Sequence, residues 1–265
     1  MIVKKVNLSR AALIGCLMLG TVDWLGEEGR GAQADERRVT VMPYVIPLGF
    51  DGTSTVEGTE GDLEFGIDDY AETVEWGGYL RAEAWNDTGW AFVFDGGMTW
   101  LDKEFRQAGK RAGDATFRWG RFDLMVARRV VDKKVGKRAR EQFAVDLFGG
   151  ARTQYLRQEL APDSGGEVAG NATWVEPVIG GRLRRQISNV TTLLVEGDAS
   201  GFGIGNASDL TWNLRAGADI ELSDGLALRL MYNLTGIDYT KGGGSTKFGL
   251  DGVAQGPMLG VIFGF

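Results

Sequence analysis

The sequence predicts an all-β fold, a transmembrane antiparallel up-and-down β-barrel of about ten strands. Segments in which apolar and polar residues alternate recur along the chain, and most exceed the about 9–11 residues that a tilted strand needs to cross a bilayer. Very short and long connections alternate between these segments. No apolar run reaches the roughly 20 residues of a spanning helix. Eight strands are the alternative if two segments form hairpins within loops.

The first 34 residues are predicted to be a secretory signal peptide, followed by a barrel domain over residues 35–265. Lys4, Lys5 and Arg10 precede a short apolar stretch at 11–22, and residues 32–34 form an A-x-A cleavage site. Residues 13–16 also match a lipoprotein box, which leaves a lipid-modified Cys16 as an alternative. Cleavage after residue 34 would remove the single cysteine, so no disulfide is expected.

The alternation divides the chain into ten segments whose connections are asymmetric. Connections 87–89, 188–189 and 223–225 are very short, whereas 50–73, 104–114 and 158–172 are long. Tight periplasmic turns and long external loops are typical of an outer-membrane barrel. The predicted strands are 39–49, 74–86, 90–103, 115–132, 141–157, 173–187, 190–203, 209–222, 226–240 and 249–265.

The first two long loops differ in charge. The first is acidic, and within it residues 67–74 are expected to form a short helix because Asp68 and Asp69 suit a helix N-terminus. The second carries Lys103, Arg106 and further basic residues. We expect the two loops to meet above the barrel mouth as a lid.

Aromatic residues near strand ends predict where the membrane interfaces lie. Arg118, Arg128 and Arg185 share the lipid-facing phase and are expected to extend their side chains toward headgroups. A soluble secreted barrel or sandwich is the alternative, because alternation alone does not say which face points outward. The predicted aromatic girdle consists of Trp76, Trp90, Trp100, Trp174, Trp212, Phe263 and Phe265.

The last segment resembles the terminal strand of bacterial outer-membrane β-barrels, in which a C-terminal Phe is a hallmark of the assembly signal. Leu259, Val261, Phe263 and Phe265 form its apolar face. The resemblance implies a place in the outer membrane, contact with its lipid and lipopolysaccharide, and insertion by the barrel-assembly machinery. We expect a monomer.

Several motifs resemble a widespread family of uncharacterised outer-membrane β-barrel proteins. The resemblance covers nearly the whole chain after the signal and implies the barrel fold without implying an activity. The motifs are Met42-Pro43-Tyr44, Phe50-Asp51-Gly52-Thr53, and the segments 63–74, 147–152, 174–180, 197–203 and 256–260.

The polar phase of the strands carries acids and arginines in nearly equal number, and in a membrane barrel this phase faces the lumen. Arginine suits such a site because its planar fork binds carboxylates bidentately. The pattern predicts either a lumen filled by salt bridges or a narrow polar pore. The predicted network comprises Glu75, Arg81, Glu83, Asp95, Arg121, Asp123, Arg129, Asp146, Arg152, Glu176, Arg182, Arg184, Glu196, Asp198, Arg215, Asp219 and Arg229.

The chain has no histidine. The small enzymatic outer-membrane barrels, which include a phospholipase, the omptin proteases, a palmitoyltransferase and the lipid A deacylases, resemble one another in relying on a His, so we expect no enzyme and no catalytic residues. Residues 201–205 lack the strand–turn–helix context of a dinucleotide site, and zinc is disfavoured without His or Cys, so no cofactor or metal is expected.

The remaining functional predictions follow from charge and fold. The formal net charge of −7 and the lack of a basic stripe argue against binding to nucleic acid. A structural barrel or a narrow small-solute pore is the predicted role. The alternative is a surface-binding module that acts through its outer loops.

Overall fold

The computed structural model describes residues 39–66, 74–107, 110–135, 141–163 and 165–265. Among these residues, no helix is long and apolar enough to cross a membrane. The predicted signal peptide, its cleavage site, Cys16 and most of the helix expected at 67–74 lie outside the described residues. The strands are β1 (Val39–Val45), β2 (Gly49–Val56), β3 (Thr59–Phe65), β4 (Val74–Trp85), β5 (Trp90–Gln107), β6 (Lys110–Val135), β7 (Glu141–Pro162), β8 (Val168–Gln186), β9 (Thr191–Gly201), β10 (Leu210–Ser223), β11 (Leu226–Lys241) and β12 (Phe248–Gly264).

Ten of these strands close into an antiparallel barrel, which confirms the predicted fold class and strand number. β1 and β4 to β12 each pair with their neighbours, and β1 pairs in turn with β12. At this seam Val41 lies opposite Phe263, and the amide of Phe265 donates to the carbonyl of Val39 at 2.9 Å. Because the ring is closed, each of these ten strands pairs with a neighbour on both of its edges over at least part of its length.

The prediction of a long loop at 50–73 is wrong for its first part, because β2 and β3 form a hairpin there. Residues 46–48 separate β1 from β2, and Pro47 within them has no amide to donate to a ladder. Beyond this break β2 takes the place of β1 beside β12. β3 pairs with β2 and meets β5 where Asp62 lies opposite Arg106, so the acidic and basic segments do come together.

The predicted loops at 104–114 and 158–172 are also largely strand. β5 continues to Gln107, β6 begins at Lys110, and β7 and β8 leave only residues 163–167 between them. The 26 residues of β6 far exceed the about 9–11 that a bilayer requires. Because paired strands satisfy their backbone groups on each other, these hairpins extend beyond the membrane as regular structure.

Apolar side chains face outward and charged ones face inward. Phe92 on β5 is 75% exposed, and Leu124, Val175 and Ile179 are also exposed on the outer face. The arginines and carboxylates of the polar phase are mostly buried inside the ring. This arrangement is that of a membrane barrel and is the reverse of a soluble one.

The interior contains apolar packing as well as charge. One cluster lines β1, β11 and β12 and fills the end of the lumen near the β2–β3 hairpin, where Val56, Leu63, Leu160 and Phe248 are buried. A smaller cluster around Phe148 packs against the inner side of β5 to β8. The lumen therefore has a charged middle and an apolar outer part.

Candidate functional site: the filled lumen

The centre of the lumen is a cluster of ion pairs around Asp95 of β5. Arg215 of β10 lies 2.9 Å from the Asp95 carboxylate, and Arg81 of β4 lies 3.3 Å from it. Tyr44 of β1 donates its hydroxyl to the same carboxylate at 2.5 Å. Arg81 also pairs with Glu196 across the barrel at 2.6 Å. Residues from opposite walls thus meet in the middle of the lumen.

A second group of pairs lies around Arg182 of β8. Its guanidinium binds both oxygens of Glu83, at 2.6 and 2.9 Å, and also lies 3.1 Å from Asp146. Asp146 in turn pairs with Arg129 at 2.8 Å and with Arg184 at 3.4 Å. Because Arg81 also pairs with Glu83, this group is continuous with the cluster around Asp95.

Arg152 of β7 is the most enclosed cation described, with 0% of its surface exposed. It binds Asp123 of β6 bidentately, with both distances at 2.8 Å, and Asp198 of β9 at 2.8 Å. Arg121 lies 3.7 Å from both Asp95 and Asp123 and so connects this group to the centre. The structure therefore brings most of the predicted lumen charges into one connected network.

Two predicted lumen residues and one pair stand apart from this network. Asp219 and Arg229 form a separate bidentate pair nearer the short turns. Glu176 is held by neutral donors, including the hydroxyls of Ser200 and Ser208 at 2.7 and 2.6 Å. The side chain of Glu75 lies outside the described part of the structure.

The placement of Trp174 in the aromatic girdle is wrong. Trp174 is 3% exposed and faces the lumen, where its indole donates to Glu176 at 2.8 Å and stacks on Tyr239 at 3.8 Å between ring centres. The physical reason is strand periodicity, because residues 174 and 176 of one strand must face the same side. The side chain of Trp76 lies outside the described residues.

Other predicted girdle residues face outward. Trp90 and Trp100 lie on the outer face of β5, each under a cross-strand arginine: Arg128 at 5.1 Å and Arg118 at 5.5 Å from the ring centre. With a rise of about 3.3 Å per residue and a tilt of about 40°, the two tryptophans differ by about 25 Å in height, which matches the apolar belt of a membrane barrel.

The remaining girdle and assembly-signal positions lie on the outer faces of β10 and β12. Phe263 and Phe265 are exposed, as is Leu259, and Val261 is half-buried. The indole of Trp212 lies over Gly236 of the neighbouring strand, where any side chain would collide with it. An aromatic ring over a cross-strand glycine covers backbone that would otherwise face lipid.

The outer lumen is closed by apolar packing of the β2–β3 hairpin, where the sequence predicts a lid formed by loops. Ser54 on the β2–β3 hairpin donates to Gln158 of β7 at 2.9 Å across the lumen. A side chain at Gly170 of β8 would meet the ring of Phe248 and a methyl group of Val56. The signal was present, since Leu156 and Leu160 share the inward phase of Arg152, but the apolar pattern alone does not say which walls touch.

One small cavity lies inside this packing. A cavity of about 20 Å³ lies beside Ile46, Tyr79, Trp119 and Arg121, which is room for about one water molecule. Among the described residues, no group of three or more acids, His or Cys is placed to hold a metal ion. The site as a whole is an electrostatic and apolar filling of the lumen.

A closed ring, an outward apolar belt with aromatic residues at both edges, and a charged interior define an integral β-barrel protein of the bacterial outer membrane. This confirms the predicted location.

Comparison with solved structures gives further barrels of the same class. The outer membrane protease OmpT from Escherichia coli is 8% identical with a TM-score of 0.49, over 86% of this chain and 96% of that chain. The translocator domain of the autotransporter NalP from Neisseria meningitidis is 14% identical with a TM-score of 0.36, over 88% and 90% of the two chains. Neisserial surface protein A is 12% identical with a TM-score of 0.31, over 86% and 97%.

No protein-family model matches the sequence, and no curated protein matches it. The resemblance to a family of uncharacterised barrels therefore stays a prediction. The prediction that the chain is not an enzyme is contradicted, because an outer-membrane protease is among the similar structures. At 8% identity and a TM-score below 0.5, this likeness carries no argument for a particular activity.

Proposed function

We propose that this protein is a structural, non-conducting barrel of the outer membrane whose lumen is closed by its own side chains. The observation that carries the proposal is the filling of the described lumen, by ion pairs in the middle and by apolar packing toward the long hairpins. We further propose that it acts as a monomer, since the closed ring offers no strand edge to a second copy.

The ion pairs support a closed lumen because carboxylates and guanidiniums from different strands are in direct contact there. Arg152 pairs with Asp123 and Asp198, and Arg182 pairs with Glu83 and Asp146. A selective pore more often presents rings of one charge sign to a water-filled path. Here opposite charges from facing walls are in contact, so an ion that entered would have to separate them.

The apolar outer section adds a second barrier. Val56, Leu63 and Phe248 lie where the β2–β3 hairpin packs against the opposite wall. An apolar constriction is unfavourable for ions because it offers no replacement for their hydration shell. The two barriers lie in series along the same axis.

Planar-bilayer recording of the refolded protein tests the proposal. We expect no single-channel steps above the bilayer background in 1 M KCl. An unfolded sample, identified by its loss of heat-dependent electrophoretic mobility, serves as the control for insertion. Reproducible steps that grow in the Arg152→Ala variant would instead support the narrow small-solute pore.

A second candidate function, surface recognition, is favoured by the strand lengths. β5 to β8 continue as paired strands well past the apolar belt, and β6 alone has 26 residues. Such a projection places a regular surface outside the membrane. Shortening the β5–β6 hairpin at matched positions, for example by joining residues 102 and 116, should abolish capture of a surface ligand while the barrel still folds.

A further inference from the structure

We infer that Arg118 of β6 and Arg157 of β7 form a binding site for a phosphate group of lipopolysaccharide in the outer leaflet. We call these two residues the outer arginine pair. The inference does not depend on whether the lumen conducts.

Strand register places the two arginines side by side on the outer face. Arg118 lies directly opposite Arg157, with Trp100 on the far side of Arg118 and Asn171 on the far side of Arg157. Side chains directly opposite have their Cβ atoms about 4.5–5.5 Å apart, and like charges in that position repel each other. An anion bound between them would convert this repulsion into attraction.

Each guanidinium is held by a neighbour. Arg118 lies over the Trp100 ring at 5.5 Å, and no carboxylate of the described residues is in ion-pair range of it. Arg157 donates from Nε to Glu159 at 2.6 Å, and its side chain is 41% exposed. The guanidinium of Arg118 therefore keeps its positive charge available, while the outward carboxylates Glu159 and Asp102 lie one step farther from the membrane centre.

The height of the pair matches that of lipid phosphates. Toward the membrane centre, the next residues that face out of the barrel on the same strands are Gly120 and Tyr155, followed by the exposed Phe122. Away from it, they are Thr116 and Glu159. The pair thus marks the change from apolar to polar on the side of the long hairpins, which faces the cell exterior.

The chemistry of the outer leaflet decides the ligand. Lipopolysaccharide presents phosphates on its lipid A sugars at this height, and arginine forks bind phosphate bidentately. The geometry therefore points to lipid A, with its phosphate between the two guanidiniums and its acyl chains along the apolar belt.

Arg128 provides a contrast within the same molecule. It also lies over a tryptophan, Trp90, but its cross-strand neighbour on β7 is Leu147 and its guanidinium donates to the backbone carbonyl of Thr88. It stands at the edge of the belt next to the short turns, which face the periplasm. Arg128 is therefore a matched control that lacks a second arginine.

Native mass spectrometry of the refolded protein in detergent micelles tests the inference, with bisphosphorylated lipid A as the probe. We expect the Arg118→Ala/Arg157→Ala double variant to bind about tenfold more weakly or worse, because charge-assisted hydrogen bonds are lost. Arg128→Ala should bind as the unmodified protein does. Lipid A with both phosphates removed should bind the unmodified protein no better than bisphosphorylated lipid A binds the double variant.

Unchanged lipid A binding in the double variant, or an equal loss in Arg128→Ala, would overturn the inference. So would displacement of lipid A by millimolar inorganic phosphate. It would also be overturned if phosphatidylglycerol bound as tightly as lipid A and lost as much affinity in the double variant. The last two would mean a free-anion site and a general anionic-lipid surface, respectively. If the double alanine variant fails to fold, Arg118→Gln/Arg157→Gln keeps side-chain length and polarity and must show the same loss.

Discussion

At the scale of single residues, the buried arginines determine how the lumen is stabilised. Arg152 has no exposed surface and holds two carboxylates that come from different strands. Taking charges out of water is unfavourable, so such a group is tolerated only while its partners remain in place. Losing one partner therefore matters more than the net strength of the pair.

We predict that Arg152→Ala lowers the free energy of unfolding by about 3–5 kcal/mol, because Asp123 and Asp198 would be left buried without their cation. Reversible urea unfolding of the refolded protein measures this. Lys247→Ala is the control, since the side chain of Lys247 is 40% exposed and lies 3.7 Å from the exposed Glu60, so its loss should cost about 0–1 kcal/mol. A value near zero for Arg152→Ala would mean that water reaches the lumen.

The position of Trp174 gives a second prediction at this scale. In variants that keep a single tryptophan, brominated lipid chains should quench Trp90 and Trp212 strongly and Trp174 weakly, because Trp174 points into the lumen. Its emission should also be sensitive to Tyr239→Leu, which removes the stacked ring. Strong lipid quenching of Trp174 would mean that this side chain lies at the membrane interface.

At the scale of elements, the β2–β3 hairpin is the part of the chain that the barrel ring does not need. It pairs with β12 and β5 beyond the ends of β1 and β4, and it packs across the lumen on β7 and β8. Exposed charges contribute little to holding it, so its buried residues must do so. Phe50, Val56 and Leu63 are apolar side chains that it buries.

Replacing residues 50–65 by a short Gly/Ser linker should leave a folded barrel but admit ions or large antibiotics, because the apolar closure is removed. Heat-dependent electrophoretic mobility reports the fold, and bilayer current or antibiotic sensitivity reports the leak. Glu60→Ser, which changes charge and keeps packing, should behave as the unmodified protein. Unchanged permeability after replacement would assign closure to the ion network alone.

The sequence predicted the ring better than it predicted this hairpin, for a physical reason. In the bilayer one strand face must be apolar, so alternation is strong and strands such as 90–103 and 209–222 stand out. Beyond the bilayer neither face is constrained by lipid, and the glycine-rich and acidic residues of β2 and β3 show no such pattern. The sequence therefore predicts a loop there.

The candidate site was predictable in part for the same reason. Alternate residues of a strand face the same side of the barrel, and this alternation predicts that Arg81 and Glu196 face the lumen. Their pairing does not follow, because the two residues are 115 positions apart and meet only through the tilt and closure of the ring. The prediction for Trp174 is wrong because a tryptophan suits both a membrane interface and a packed lumen, and only its parity with Glu176 distinguishes the two.

At the scale of the whole molecule, stability should depend weakly on ionic strength. The ion pairs lie inside the barrel, where salt screens them much less than it screens exposed charges. We predict that the urea midpoint changes little between about 0.1 and 1 M NaCl. A steep fall over this range would indicate a lumen open to electrolyte.

The seam between β1 and β12 constrains the order of events in folding. Its partners, such as Val41 and Phe263, are roughly 220 positions apart, whereas β4 to β12 follow each other in the chain and only the β2–β3 hairpin separates β1 from β4. Pairing of distant segments carries a large loop-closure entropy and is slow. The sheet from β4 to β12 therefore has reason to form first, as an open structure with two unpaired edges. During that interval the two unpaired edges allow edge-to-edge aggregation. The lifetime of the open sheet is set by how quickly β1 pairs with both β4 and β12.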